Sequence, residues 1–131
     1  MPQVTNFGEN PGLDVSMGPS VQALVPAGVH ALAASIAASG NTKSNLIPSN
    51  GYKTLSVGVT SSQNGQIQVQ RYLDQNGLVP QGAAITASLT GGSPGVCNVT
   101  DGNPFASYTV TITNTGASPA NLTNLAILQQ G

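Results

Sequence analysis

One stretch has the spacing of a hydrolytic nucleophile: Gly91-Gly92-Ser93-Pro94-Gly95, a Gly-x-Ser-x-Gly pattern. In a nucleophile elbow a helix starts at the serine, and the N–H of the following residue helps hold the oxyanion. Here the following residue is Pro94, which has no N–H, and no helical pattern continues from it. The general base would have to be His30, the sole histidine, far away in sequence among Val29, Ala31 and Leu32. A lone imidazole in that setting reads as a hydrogen-bonded structural group rather than a metal ligand or a pH-sensitive contact. The pattern is expected to be a loop and the chain not to be an enzyme.

The other chemistry-bearing residues point the same way. The acids Glu9, Asp14, Asp74 and Asp101 form no close pair of the kind glycoside cleavage uses. Asp74 and Asp101 stand in Asn/Gly turns, where a carboxylate serves the backbone. Asp74-Gln75-Asn76-Gly77 begins like a calcium loop, but Leu78 and Val79 interrupt the ligand spacing. Cys97 is single, which excludes an internal disulfide and a thiolate zinc site, so it reads as a small buried hydrophobe. Asn98-Val99-Thr100 and Asn121-Leu122-Thr123 fit the glycosylation pattern, but an Asn- and Thr-rich chain produces such matches by chance. No Trp, two Phe and three Tyr make a poor aromatic platform for sugars. No metal, cofactor or small-molecule substrate is expected.

The elements that would carry these residues are strands. Leu55, Val57 and Val59 alternate with Thr54, Ser56 and Gly58, and Ile67, Val69 and Leu73 keep step after them. Ser61-Ser62-Gln63-Asn64-Gly65 lies between, and its Asn-Gly predicts an antiparallel hairpin with positive φ at the turn. Asn76-Gly77 turns the chain again, sending Leu78 to Pro80 back before a strand from Ala83 to Thr90. Val96 to Thr100 is a short strand and Asp101-Gly102-Asn103-Pro104 a turn. Tyr108, Val110 and Ile112 alternate with threonines, then Asn114 to Pro119 turns into Ala120 to Gln129, a second predicted hairpin. Residues 29–39 read either as a helix, with Val29, Leu32, Ala33, Ile36 and Ala37 on one face and Gly40 as its stop, or as a strand between turns. Residues 1–28, with Pro2, Gly8, Pro11, Gly12, Gly18 and Pro19, read as an extended N-terminal arm. Residues 29–131 then form one all-β domain, an antiparallel β-sandwich or jelly roll.

Charged side chains make up 5% of the 131 residues, against about 25% in soluble domains. A net charge of −1 provides little mutual repulsion between copies, so the chain is expected to pack against other proteins. With 39% apolar residues and almost no charge, it lacks the signature of a disordered chain. Lys43, Lys53 and Arg71 are too few to neutralise a run of phosphates, which excludes nucleic acid as a partner. The most apolar stretch, Ala23 to Ala38, is broken by Pro26, Gly28, His30 and Ser35 and is too short to span a bilayer. No Lys or Arg precedes Lys43, so no secretion leader is expected.

The strings Ser39-Gly40-Asn41-Thr42, Gly51-Tyr52-Lys53-Thr54-Leu55-Ser56-Val57, Arg71-Tyr72-Leu73-Asp74 and Tyr108-Thr109-Val110-Thr111-Ile112-Thr113-Asn114-Thr115-Gly116 resemble small β-sandwich virion proteins of tailed bacteriophages, over about residues 30 to 129. The resemblance implies a capsid decoration, or cement, protein of the virion. Such a protein is commonly a homotrimer that clamps subunits of the major capsid protein, so those subunits and copies of itself are the expected partners. The apolar arm residues Val4, Phe7, Leu13, Val15 and Met17 are the expected contacts. The rival from another class is a receptor- or glycan-binding module of a tail or fibre, with its site on loops such as Gly91 to Gly95. An enzyme would require Ser93 and His30 to converge in space.

Overall fold

The computed structural model describes residues 22–131. Ten strands and one helical turn follow in order: β1 (Gln22–Leu24), α1 (Ala27–His30), β2 (Ser35–Ile36), β3 (Asn41–Lys43), β4 (Ile47–Pro48), β5 (Thr54–Ser61), β6 (Gly65–Tyr72), β7 (Ile85–Leu89), β8 (Pro94–Val99), β9 (Ser107–Asn114) and β10 (Ala120–Gln130). They make two antiparallel sheets of five strands. One has the order β1-β10-β5-β8 with β2 also on β10; the other has the order β3-β9-β6-β7 with β4 also on β9. If β1 with β2 and β3 with β4 are each taken as one interrupted strand, this connectivity is a jelly roll.

Both hairpins expected from the sequence are corrected by this topology. β5 pairs with β10 and β8, and β6 with β9 and β7, so the chain between β5 and β6 crosses from one sheet to the other. The connections from β7 to β8 and from β9 to β10 cross in the same way. Alternation cannot separate a hairpin from an arch, because either one turns the same residues inward. What separates them here is the turn. Neither Asn64 nor Gly65 adopts positive φ, which a two-residue hairpin of that type requires. Gly65 serves a different need: a Cβ there would run into the Thr113 carbonyl oxygen. The connection from β6 to β7 does fold back as expected, with Tyr72 bridged to Pro80.

The core lies between the sheets. Leu55, Val57, Val59, Cys97, Val99 and Ile127 from one face Ile67, Val69, Tyr108, Val110 and Ile112 from the other, all buried. Burying each such aliphatic side chain contributes roughly 1.5–3 kcal/mol. β10 keeps both of its halves in register with this core by a bulge. Thr123 pairs with Thr60 and Ala126 with Gly58, leaving one extra residue, and Asn124 takes φ 55 there. The parity flips, so Leu122 and Ile127 both point inward. Asn is among the few side chains that accept this backbone conformation cheaply.

Residues 29–39 are neither a full helix nor a full strand. α1 is one turn that stops at Ala31, φ 55, and only Ser35–Ile36 joins a sheet. The sandwich also takes in Gln22–Leu24, ahead of the boundary read at residue 29, because β1 pairs with β10 at Leu128 to Gln130. Leu73, expected in step with Ile67 and Val69, lies past the end of β6 and is exposed.

Candidate functional site

The base of the sandwich, where β5 begins and β8 ends, carries two recesses that share Tyr52. The first, about 340 Å³, is lined by Ser49, Tyr52, Lys53, Asn103, Pro104 and Phe105 among others. The second, about 350 Å³, is a mostly apolar groove lined from the edge strands β1 and β4 of the two sheets.

The wall of the first recess is held by an ion pair. Arg71 sits at an inward position of β6, buried, so its guanidinium needs a partner. It donates to both carboxylate oxygens of Asp101, each at 2.7 Å, and lies 5.7 Å from the Phe105 ring centre. The Asp101 carboxylate in turn accepts from the Asn103 backbone N–H at 3.0 Å and from its side-chain amide at 3.2 Å. The Arg71 hydrogen bonds, with help from the Asn103 N–H, hold the Asp101 carboxyl down at about 2. Phe105 packs edge-on against Tyr108, rings 5.9 Å apart. The Tyr108 hydroxyl, buried between the sheets, donates to Gln129 Oε1 at 2.9 Å, and burial pushes that phenol far up. Loop 101–105 is thus fastened to β6 and β9 through Asp101 and Phe105. With Asp101 paired to Arg71, Lys53 is, among the described residues, the uncompensated charge lining this recess.

The residues singled out by motif are not brought together. Ser93 immediately precedes β8, so a strand and not a helix follows it, and the Gly-x-Ser-x-Gly pattern is no nucleophile elbow. His30 lies beyond the opposite edge of that sheet, next to β1, with β10 and β5 intervening. It is buried, its Nδ1 accepts the Leu32 N–H at 3.0 Å, and burial lowers its pKa. The Gly91 to Gly95 loop belongs to the arch end, away from both recesses. Asn64 Oδ1 accepts the Gly91 N–H at 2.8 Å there, and the Asn64 carbonyl accepts from Thr115 at 2.9 Å, tying the three arches together. Cys97 is buried, as its isolation in sequence suggested. Among the described residues no group of three or more His, Cys, Asp or Glu side chains could hold a metal ion. No helix among them is long and apolar enough to cross a membrane. Val4, Phe7, Leu13, Val15 and Met17 lie outside the described residues.

The Arg71–Asp101 pair went unread in the sequence, although a signal was present. Arg71 continues the inward series Ile67, Val69, and an arginine at a core-facing position requires a carboxylate.

A broad surface differs from these recesses in kind. The outer face of the β1-β10-β5-β8 sheet is a grid of uncharged residues set by the register: Asn98, Ser56, Leu128 and Leu24 in one row, Val96, Gly58 and Ala126 in the next, Pro94, Thr60 and Thr123 beyond. Ser56 Oγ donates to Asn98 Oδ1 at 2.6 Å across the strands.

No family model matches the chain, and no curated protein matches it. Among solved structures the chain is similar to PirA, with 16% identity and a TM-score of 0.48 over 74% of this chain and 89% of that one. It is similar also to the CBM22-1-GH10 modules of the N-terminal endo-1,4-β-D-xylanase 10B of Clostridium thermocellum, complexed with xylohexaose, with 16% identity and a TM-score of 0.46 over 72% of this chain and 20% of that one.

Proposed function

We propose that this chain is a non-enzymatic structural protein of a virion, a capsid decoration protein that binds the outer shell and stabilises contacts between capsid subunits. The observation that carries the reading is the uncharged outer face of the β1-β10-β5-β8 sheet. A sheet face left to water ordinarily carries charged residues, which keep copies apart and resist association. This one offers hydroxyl, amide and small apolar groups, which can be buried against a protein without stripping water from an ion. The other charges reinforce it. Arg71 and Asp101 neutralise each other and the Asp74 carboxylate binds its own loop, leaving Lys43 and Lys53 as the unpaired charged side chains of the described residues. A rigid jelly roll with modest contacts gains firm attachment when several linked copies engage several shell subunits.

The test is retention on purified capsid shells. Val96→Glu and Ala126→Lys place charges on the face without touching the core, and deletion of residues 1–20 removes the apolar arm. Co-sedimentation with shells should fall sharply for the face variants while their circular dichroism stays unchanged. Undiminished co-sedimentation of both face variants would sink the face as the contact, and undiminished binding after the deletion would sink the arm.

The recess at Tyr52 and Phe105 favours a second reading, a glycan-binding module, because two half-buried aromatics stand beside Asn103 and Lys53. It places the site at the opposite end of the sandwich from the Gly91 to Gly95 loop. A glycan array probed with the wild type and with Tyr52→Ala separates the two: hits lost in the variant support it, and an array without hits removes it.

A further inference from the structure

We propose that copies of this chain assemble with one another, the apolar loop after β6 of one copy seated in the apolar groove between β1 and β4 of the next. The loop is a preformed knob. Leu73, Leu78 and Val79 are 51%, 77% and 49% exposed within one short turn. Aliphatic side chains clustered on one exposed loop, rather than scattered singly, mark a candidate interaction surface. The loop does not owe its shape to those side chains. The Asp74 carboxylate accepts the N–H groups of Asn76, Leu78 and Val79, the last at 2.9 Å, which also lowers its pKa. Ser107 Oγ donates to the Asp74 carbonyl at 2.6 Å, and Gly77, at φ +68, lies so close to Leu46 that a Cβ there would come within 3.1 Å of it. Clipped from beneath, the loop holds its leucines outward at little further entropic cost on binding.

The groove is the matching socket. Val25, Pro26, Val29, Ile47, Pro48 and Tyr52 line it beside the amides of Asn50 and Gln129, and its 350 Å³ has room for the side chains of Leu78 and Val79. Among the described residues no charged side chain lines it, and the knob's one carboxylate is turned into its own loop, so the contact closes without desolvating an unpaired charge. None of the loop's residues lines the groove, so one copy presents two different complementary surfaces. Such a pair closes reciprocally in a two-fold dimer when one rotation seats both knobs, and otherwise builds a ring or a filament. The near-zero net charge of the chain places no repulsion against it. The inference goes beyond shell binding and stands or falls on the isolated protein.

Native mass spectrometry and light scattering of the full-length chain test it. Wild type should be oligomeric, and Leu78→Asp and Val29→Asp should each be monomeric at the same concentration with unchanged circular dichroism. An equimolar mixture of the two variants should yield a heterodimer, since the intact knob of one still meets the intact socket of the other. A monomeric wild type, a Leu78→Asp variant that assembles like wild type, or a mixture that stays monomeric would each overturn the proposal. Deletion of residues 1–20 should leave assembly in place. If the deletion abolishes assembly while Leu78→Asp preserves it, the groove belongs to that segment instead.

Discussion

Asn114 is the residue whose removal should cost the sandwich most for the fewest atoms. It ends β9 with its side chain buried, 1% exposed, at the arch that carries the chain to β10. Its amide donates to the carbonyls of Ser118 at 2.8 Å, Ala37 at 3.1 Å and, more weakly, Ile36 at 3.4 Å, while its Oδ1 accepts the Gly116 N–H at 2.9 Å. One side chain therefore fixes the arch and fastens the segment after β2 to it. Asn114→Ala deletes three good hydrogen bonds, each worth about 1 kcal/mol net. The full desolvation penalty does not apply, because Ala37 and Ser118 are themselves exposed and water can reach their carbonyls. The expected loss is about 3 kcal/mol, which at a urea dependence of about 2 kcal/mol per molar lowers the unfolding midpoint by about 1.5 M with the slope unchanged. Asn114→Asp sharpens the test. It keeps the acceptor for Gly116 but turns a carboxylate toward the carbonyl oxygens, so its folded pKa rises above the unfolded value of about 3.9. A raised pKa means the folded state binds the extra proton more tightly. Asn114→Asp should thus be the less stable variant at neutral pH and regain stability as pH falls toward the unfolded value. A midpoint drop below about 0.5 M for Asn114→Ala, or equal stability of the two variants at pH 7, would refute the donor role.

Asp101, held at about 2 by Arg71, contributes stability that is fully present above the unfolded carboxyl pKa of about 3.9 and lost as pH falls through 2. The melting temperature should therefore fall between pH 4 and 2, and Asp101→Asn, less stable at neutral pH, should show a shallower fall, with Asp74 supplying the rest of the slope. Cys97 is buried and its thiol pKa is pushed up by burial, so an aromatic disulfide reagent at neutral pH should leave it untouched in the folded protein and titrate it fully in denaturant. Gly65→Ala should destabilise by about 2–3 kcal/mol in urea melts, because its Cβ meets the backbone carbonyl of Thr113 rather than a side chain that can move aside. If it behaves like wild type, the tight passage between the first and third arches is wrong.

Much of the fold was legible because burial on one sheet face enforces alternation. Leu55, Val57, Val59, Ile67, Val69, Tyr108, Val110 and Ile112 all read inward from sequence and all are buried. The bulge in β10 was legible in principle, since Leu122 and Ile127 cannot both face one side of a regular strand, and Asn124 marks where the parity changes. The stretch 29–39 was not legible: its apolar spacing fits two periodicities, and the outcome was decided by how little of it could pair with β10 between Ala120 and Asn121. Of the candidate site, Tyr52 figured only within the string Gly51 to Val57, because a recess is made by loops that meet from distant positions.

The sequence by itself determined that this protein is a sandwich of short strands, that its core-facing side chains are the alternating aliphatics, and that its surface carries almost no charge. Those are local or compositional properties, set by side-chain period and residue type. Which strands pair, and therefore that Asn64-Gly65 and Asn114 to Pro119 are arches and not hairpins, only the tertiary structure decided. A hairpin and an arch bury the same residues, and the difference lies in long-range hydrogen bonds such as those of Asn64 to Gly91 and Thr115. The same holds for the pairing of Arg71 with Asp101 and for the knob and groove, whose parts are brought to the surface by packing and not by proximity in the chain.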